Sequence, residues 1–339
     1  MKLNLIAACV LSFTAMSAVP TALAQNINGA GATFPYPIYS RWFTEYSHVH
    51  PEVKINYQSI GSGGGIRQVS EGTVDFGATD GPMTDEQLSA SKVKVIHIPT
   101  VLGAVVPTYN LPGVTADLKF SQDAIAGIYL GKITKWNDPV IAKDNPGVNL
   151  PAKAILPVYR SDGSGTTYIF TDWLSKVSPE WNTRVGKATS VKWPVGIGQK
   201  GNEGIAGMVR QSPYSFGYVE LIYAVTNKMQ YGSVRNAAGK FVKASTEGVT
   251  AAAAAAAKNM PADYRVSITN AAGGDSYPIS SFTWLLIPTK SADPAKGKAL
   301  QGFLQWMLST GEAEAAPMSY APLPKAVADR VKQTIATVH

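Results

Sequence analysis

The apolar positions of this chain alternate repeatedly between a period of two and a period near 3.6. Tyr39, Trp42, Phe43 and Tyr46 recur at i, i+3, i+4 and i+7 behind a proline suited to a first helical turn, so "PYPIYSRWFTEYSHV" is predicted to be a helix. "EVKINYQSI" alternates like a strand, "GSGGGIRQVSEG" reads as a turn and short helix, and "TVDFGATD" as another strand. "MTDEQLSA" has the composition of a capped helix, and "VKVIHIPTVLGAVVPTYN" is a long apolar strand region. Downstream, "SQDAIAGIYLGKI" predicts a helix and "AILPVYR" a strand; Ile169, Phe170, Trp173, Leu174 and Val177 then share one helical face. The run Ala251–Ala257 predicts a helix, with Ser245 or Thr246 as its cap. "AKGKALQGFLQWMLSTG" and "PKAVADRVKQTIATV" close the chain as amphipathic helices. Repeated strand–turn–helix units imply an α/β architecture with parallel sheets.

Residues 1–24 depart from this rhythm. Lys2, the uncharged run "LNLIAACVLSFTAM" and a small-residue end at Ala22 and Ala24 predict a secretory signal peptide, cleaved near Ala24–Gln25. The only cysteine, Cys9, lies within it, so a mature chain would carry no disulfide, thiolate nucleophile or cysteine-bound metal. With 339 residues, 45% of them hydrophobic and 16% charged, the chain has ample core for two lobes and is not disordered. Its formal charge of +7 falls to +6 without Lys2, and its Lys and Arg residues are scattered rather than clustered. That argues against a nucleic-acid surface while providing a mild field for small anions.

Three turns share one chemistry. "GAGATFP" (Gly29–Pro35), "GSGGG" (Gly61–Gly65) and "DGSGTT" (Asp162–Thr167) each follow a strand and open a helix with hydroxyls and bare N–H groups. A helix N-terminus carries unsatisfied donors and about half a positive charge, which suits an oxyanion. Arg160 adds one cation whose fork can grip an oxyanion through two bonds, and Asp162 reads as the partner that orients it. Asp80, ending "VDFGATD", is harder to reconcile with an anion unless the ligand itself carries a proton. Inorganic phosphate still carries one O–H after its second ionisation and so keeps one at neutral pH, whereas sulfate has none. Taken alone, Asp80 reads equally well as the cap of the helix in "GPMTDEQL".

Together "GAGATFPYPIY", "YQSIGSGGGIRQV", "VDFGATD", "IYLGKITKWNDP", "RSDGSGTTYIFTDWL" and "WPVGIGQKGNEGIAGMV" closely resemble the periplasmic phosphate-binding proteins of bacterial ABC-type phosphate uptake systems, over about residues 25–339. The resemblance implies a periplasmic binding protein fold, two α/β lobes joined by a two-strand crossover and closing over a dehydrated phosphate. The ligand residues it implies are Thr33, Phe34 (through its N–H), Ser62, Asp80, Arg160, Ser164, Gly165 and Thr166. It implies lobe one over 25–103 and 278–339, lobe two over 104–277, and crossovers near Gly103 and Tyr277. It further implies a periplasmic monomer that hands phosphate to the permease and ATPase subunits of an importer, with no cofactor, no metal and no catalysis. Departures are mild: Gly63 stands where a second serine is common, and Thr79 where serine is. Binding of another tetrahedral oxyanion, or a phosphatase or adhesin on the same scaffold, is the alternative.

"GIGQKG" (Gly196–Gly201) fits G-x-G-x-x-G, with Glu220 downstream, but Pro194 interrupts the preceding strand. It is read as a structural loop of lobe two rather than a dinucleotide site. No nucleophile elbow or P-loop is present, and His48 and His50 read as surface histidines.

Overall fold

Val95–Tyr109 is the longest strand, fifteen residues that are buried almost without interruption. In the computed structural model, which describes residues 25–338, this strand serves two sheets in succession. From Val95 to Ala104 it pairs antiparallel with Ser280–Pro288, and from Val105 to Tyr109 it pairs antiparallel with Ser215–Glu220. On the first side, Ser280–Pro288 also pairs with Phe76–Thr79, and Gln25–Gly31 lies parallel between Phe76–Thr79 and Val53–Ser59. On the second side, Leu156–Arg160 lies parallel to both Ser215–Glu220 and Ile197–Gln199. Helices pack against both halves, giving the two-lobed α/β arrangement expected from the sequence. The predicted signal peptide, with Cys9, lies outside the described residues.

Parallel pairing holds only toward the outer strands. The strand that leaves lobe one and the strand that returns to it run in opposite directions, so the ladders through the middle are antiparallel. Periodicity marks buried strands but not their direction.

We keep the lobe boundaries as a proposal. The change of partner between Ala104 and Val105 supports the first crossover. The bond from Val105 N–H to the Ile279 carbonyl, and from the Tyr277 hydroxyl to the Val105 carbonyl, supports the second. One stretch inside 104–277 does not fit the simple division. Met260 and Tyr264 carbonyls accept from Arg330 and from the Trp284 indole, and the Tyr264 hydroxyl bonds Thr334. All three partners belong to the 278–339 segment. A few residues later, Ser267 and Thr269 bond Asp172 in the helix Gly165–Val177. This stretch therefore straps one lobe to the other.

Local signals placed the helices well. Thr84 caps Asp85–Ala90 in a full capping box with Gln87, which removes Asp80 from the capping role. Ser245 caps Thr246–Lys258, the alanine-rich helix, by accepting from Gly248 N–H. Val249, Ala252 and Ala253 form its buried side.

Asp172 fixes the helix that begins at the candidate site. Its side chain is 1% exposed, and it accepts from Lys187 at 2.6 Å, Ser267 at 2.6 Å and Thr269 at 2.5 Å, with Lys176 at 3.0 Å. Burial opposes its ionisation, but these donors outweigh burial and hold its pKa at about 2, against 3.8 for a free aspartate. A depressed carboxylate stabilises the fold above its unfolded pKa, and that stability is lost as pH falls from about 4 toward 2. Asp172→Asn is expected to lower stability by about 2 kcal/mol at pH 7 and to flatten the acid limb of a plot of unfolding free energy against pH. An acid limb identical to the parent's would remove Asp172 from this role.

Candidate anion site

Thr33, Phe34, Ser62, Asp80, Arg160, Ser164 and Thr166 are all buried, none more than 2% exposed, and Gly165 is buried with them. The sequence scatters them over three turns and the ends of two strands; the fold gathers them where the lobes meet. Phe76–Thr79 delivers Asp80 from lobe one, and the helix Ser62–Glu71 starts beside it. From lobe two, Leu156–Arg160 ends on Arg160, and the helix Gly165–Val177 starts at Gly165. A Cβ added to Gly165 would fall 2.4 Å from both Asp80 Oδ2 and Ser62 Oγ, so only glycine admits this approach. Gly63 N–H donates to the Gly163 carbonyl at 2.9 Å, joining the two lips of the cleft through main chain alone.

Every predicted turn contributes donors. Ser164 caps its helix by accepting from Thr167 N–H at 3.0 Å, leaving its own hydroxyl hydrogen available. Ser62 Oγ accepts from Asp80 N–H at 3.2 Å. Among the described residues, the N–H groups of Phe34, Ser62, Gly165 and Thr166 have no protein partner. These are the unsatisfied donors that a helix start or a sharp turn leaves over.

Arg160 is buried and paired. Nε donates to Asp162 Oδ1 at 2.7 Å and Nη2 to Oδ2 at 2.6 Å, while Nη1 lies 3.4 Å from Thr166 Oγ1. A guanidinium has five N–H groups, so with these three contacts made one hydrogen remains on each terminal nitrogen for another ligand. Burial works against the ionised form of Asp162, but the bonds and charge of Arg160, with Gly201 N–H, outweigh it and hold its pKa below the ordinary value. Arg160 and Asp162 thus cancel, which leaves the site dipoles rather than net charge to offer.

Asp80 stands opposite. Its Oδ1 accepts from the Thr283 hydroxyl at 2.8 Å, and its Oδ2 lies 3.5 Å from Ser62 Oγ. Burial raises its pKa from 3.8 to about 7; Thr283, Arg160 and Ser62 only partly offset that rise. A carboxylate with one oxygen held and the other turned toward donors is an acceptor in an otherwise donating site.

Five supporting residues escaped the sequence reading. Thr283, a lone hydroxyl in the apolar run "SSFTWLLIP", holds Asp80. The Tyr218 hydroxyl contacts Thr167 at 2.6 Å and accepts from Arg160 N–H at 3.2 Å, with its ring stacked on Phe170. Hydroxyls of Tyr223 and Tyr320 donate to the carbonyls of Thr33 and Phe34, each at 2.6 Å, and fix the turn whose N–H faces inward. The loop Gly196–Gly201, read as purely structural, also enters the site: the next residue, Asn202, is fully buried and bonds Thr33 and Thr166. Glu220, the acid once matched to a ribose contact, is buried at the lobe crossing and accepts from Ile222 N–H at 2.7 Å.

The family model for the PBP superfamily domain matches residues 17–310. The phosphate-binding protein PstS of Pasteurella multocida is 47% identical over 313 residues, covering 92% of this chain and 90% of that protein. The one from Haemophilus influenzae is 45% identical and covers 94% of each. Among solved structures, a phosphate-binding protein from Stenotrophomonas maltophilia superposes with a TM-score of 0.70 at 21% identity, covering 91% of this chain and 93% of the other.

Proposed function

This chain belongs to the PBP superfamily and, within it, to the PstS phosphate-binding proteins, and from that premise we propose that it captures inorganic phosphate between its lobes. The phosphate is delivered to the permease and ATPase subunits of an ABC-type importer and leaves chemically unchanged. Thr33, Phe34, Ser62, Asp80, Arg160, Ser164, Gly165 and Thr166 supply the contacts, with Asp162 holding Arg160 from behind. Closure follows because each lobe carries half of the anion's partners, so the ligand binds the closed form better than the open one. Export to the periplasm after removal of residues 1–24 is part of this reading. Among the described residues, no helix is long and apolar enough to cross a membrane.

The observation that carries the proposal is Asp80. A buried acceptor among donors is matched by a tetrahedral oxyanion that still bears a hydrogen. The anion's O–H would favour the ionised carboxylate and draw its raised pKa back down. Fully deprotonated sulfate leaves two acceptors face to face.

Calorimetric titration at pH 8 is expected to show tight phosphate binding, competition by arsenate, which has the same shape and protonation, and no measurable sulfate binding. Equal affinity for sulfate would sink the protonation argument. Turnover of phosphate esters by the pure protein, lost on substituting Ser62 or Ser164, would favour an enzyme instead.

A further inference from the structure

Asn202 sits where the two lobes share hydrogen bonds, and its orientation is fixed by chemistry. Its Oδ1 accepts from Glu220 N–H at 3.0 Å, and a backbone N–H can only donate. The Nδ2 end therefore faces Thr33 Oγ1 at 2.8 Å and Thr166 Oγ1 at 3.0 Å. An amide NH₂ group has two hydrogens and no lone pair to offer, so both threonine oxygens act as acceptors toward it. Further donors reinforce this: Asn202 N–H reaches Thr33 Oγ1 at 3.3 Å, and Arg160 Nη1 reaches Thr166 Oγ1 at 3.4 Å. Each hydroxyl has one hydrogen, and with its oxygen already receiving bonds from protein, that hydrogen is left to point elsewhere.

We infer that Asn202 is a positioning residue that sets the polarity of the anion site, locking the Thr33 and Thr166 hydroxyls as donors toward phosphate. The inference rests on the proposed phosphate reading and deepens it, because neither threonine is required to donate by its own chemistry. A free hydroxyl rotates and can present a lone pair to the ligand. Asn202 removes that option in both lobes at once, since Thr33 comes from lobe one and Thr166 from lobe two. The bridge forms only when the lobes are together, so the two donors are set as the cleft closes.

The informative variant is Asn202→Asp. It keeps the oxygen that accepts from Glu220 N–H and replaces only the NH₂ end with an acceptor, so both hydroxyls turn their hydrogens toward the carboxylate. Two hydrogen bonds to a charged ligand correspond to roughly 10²–10⁴-fold in affinity. Phosphate binding by calorimetry is expected to weaken by about that factor in N202D, and by roughly 10- to 100-fold in N202A, where the hydroxyls merely become free to rotate. The decisive measurement is the same pair of substitutions made in a T33V/T166V background, which has the shape of threonine without its hydroxyl. There N202A is expected to cost no more than about twofold, and the N202D penalty to shrink at least tenfold. Undiminished penalties in the valine background would overturn the inference alone and assign Asn202 to packing. Failure of the unsubstituted protein to bind phosphate would overturn the functional reading and this inference with it. Thermal melting of each variant without phosphate checks that the fold survives.

Discussion

Asp80→Asn is expected to collapse the discrimination between phosphate and sulfate, from about 10⁴–10⁵-fold to roughly tenfold. The Thr283 hydroxyl donates to Oδ1 at 2.8 Å, so the asparagine keeps its carbonyl there and presents its NH₂ group where Oδ2 stood. Sulfate then meets a donor instead of an acceptor. Phosphate loses one hydrogen bond and weakens only modestly, by about 1–2 kcal/mol. The same substitution should erase a pH dependence. Burial raises Asp80 from 3.8 to about 7, so the folded site gains a proton as pH falls through neutrality, where a free aspartate would stay ionised. Rejection of sulfate by the parent protein therefore relaxes on the acid side of about pH 7, while the asparagine variant stays flat. Titrations with both anions at pH 5.5 and pH 8 measure this. Sulfate rejection in the variant as strong as in the parent would show that Asp80 does not read the ligand's proton.

Arg160→Ala is expected to weaken phosphate binding a hundred- to several-thousand-fold. Among the described residues the guanidinium is the one cation bonded to a site residue, its side chain is 1% exposed, and Asp162 depends on it. Removing one partner of a buried ion pair costs about 3–5 kcal/mol, because the other charge is left uncompensated. Here the leftover charge is a carboxylate beside an anion. Arg160→Lys should recover only part of the loss, since an ammonium cannot hold both oxygens of Asp162 and also offer a two-pronged grip to a ligand. Calorimetry gives both values directly. An Arg160→Ala variant that binds phosphate like the parent would place the arginine outside the ligand's reach.

Much of the candidate site could be read before the fold was known because its chemistry is local. A glycine–hydroxyl turn between a strand and a helix offers N–H groups wherever it sits, and Arg160 and Asp162 are two residues apart on one such turn. The helices that Ser164, Thr84 and Ser245 cap were likewise announced by their own residues. What stayed hidden depends on distant pairing. Thr283 lies more than two hundred residues after Asp80 and looks like any strand threonine until Ser280–Pro288 is set beside Phe76–Thr79. Tyr218, Tyr223 and Tyr320 resemble ordinary core aromatics, since periodicity reports their burial and not the target of their hydroxyls. Asn202 was obscured by the glycine pattern of its own loop. Strand direction was misjudged for the same reason: period-two burial is identical in parallel and antiparallel ladders, and only the return of the chain through Ser280–Pro288 decides between them.

The position of Ser280–Pro288 in its sheet also governs when the protein can fold. It lies between Phe76–Thr79 and Val95–Tyr109, in the lobe-one half of the sheet, and the other strands of that half all belong to the first third of the sequence. A chain emerging from the ribosome carries those early strands long before the one that joins them exists, and such distant pairing is slow to form. Lobe one thus stays unfinished until synthesis is nearly over, and the export proposed above would meet the chain in the loose state that a translocation channel accepts.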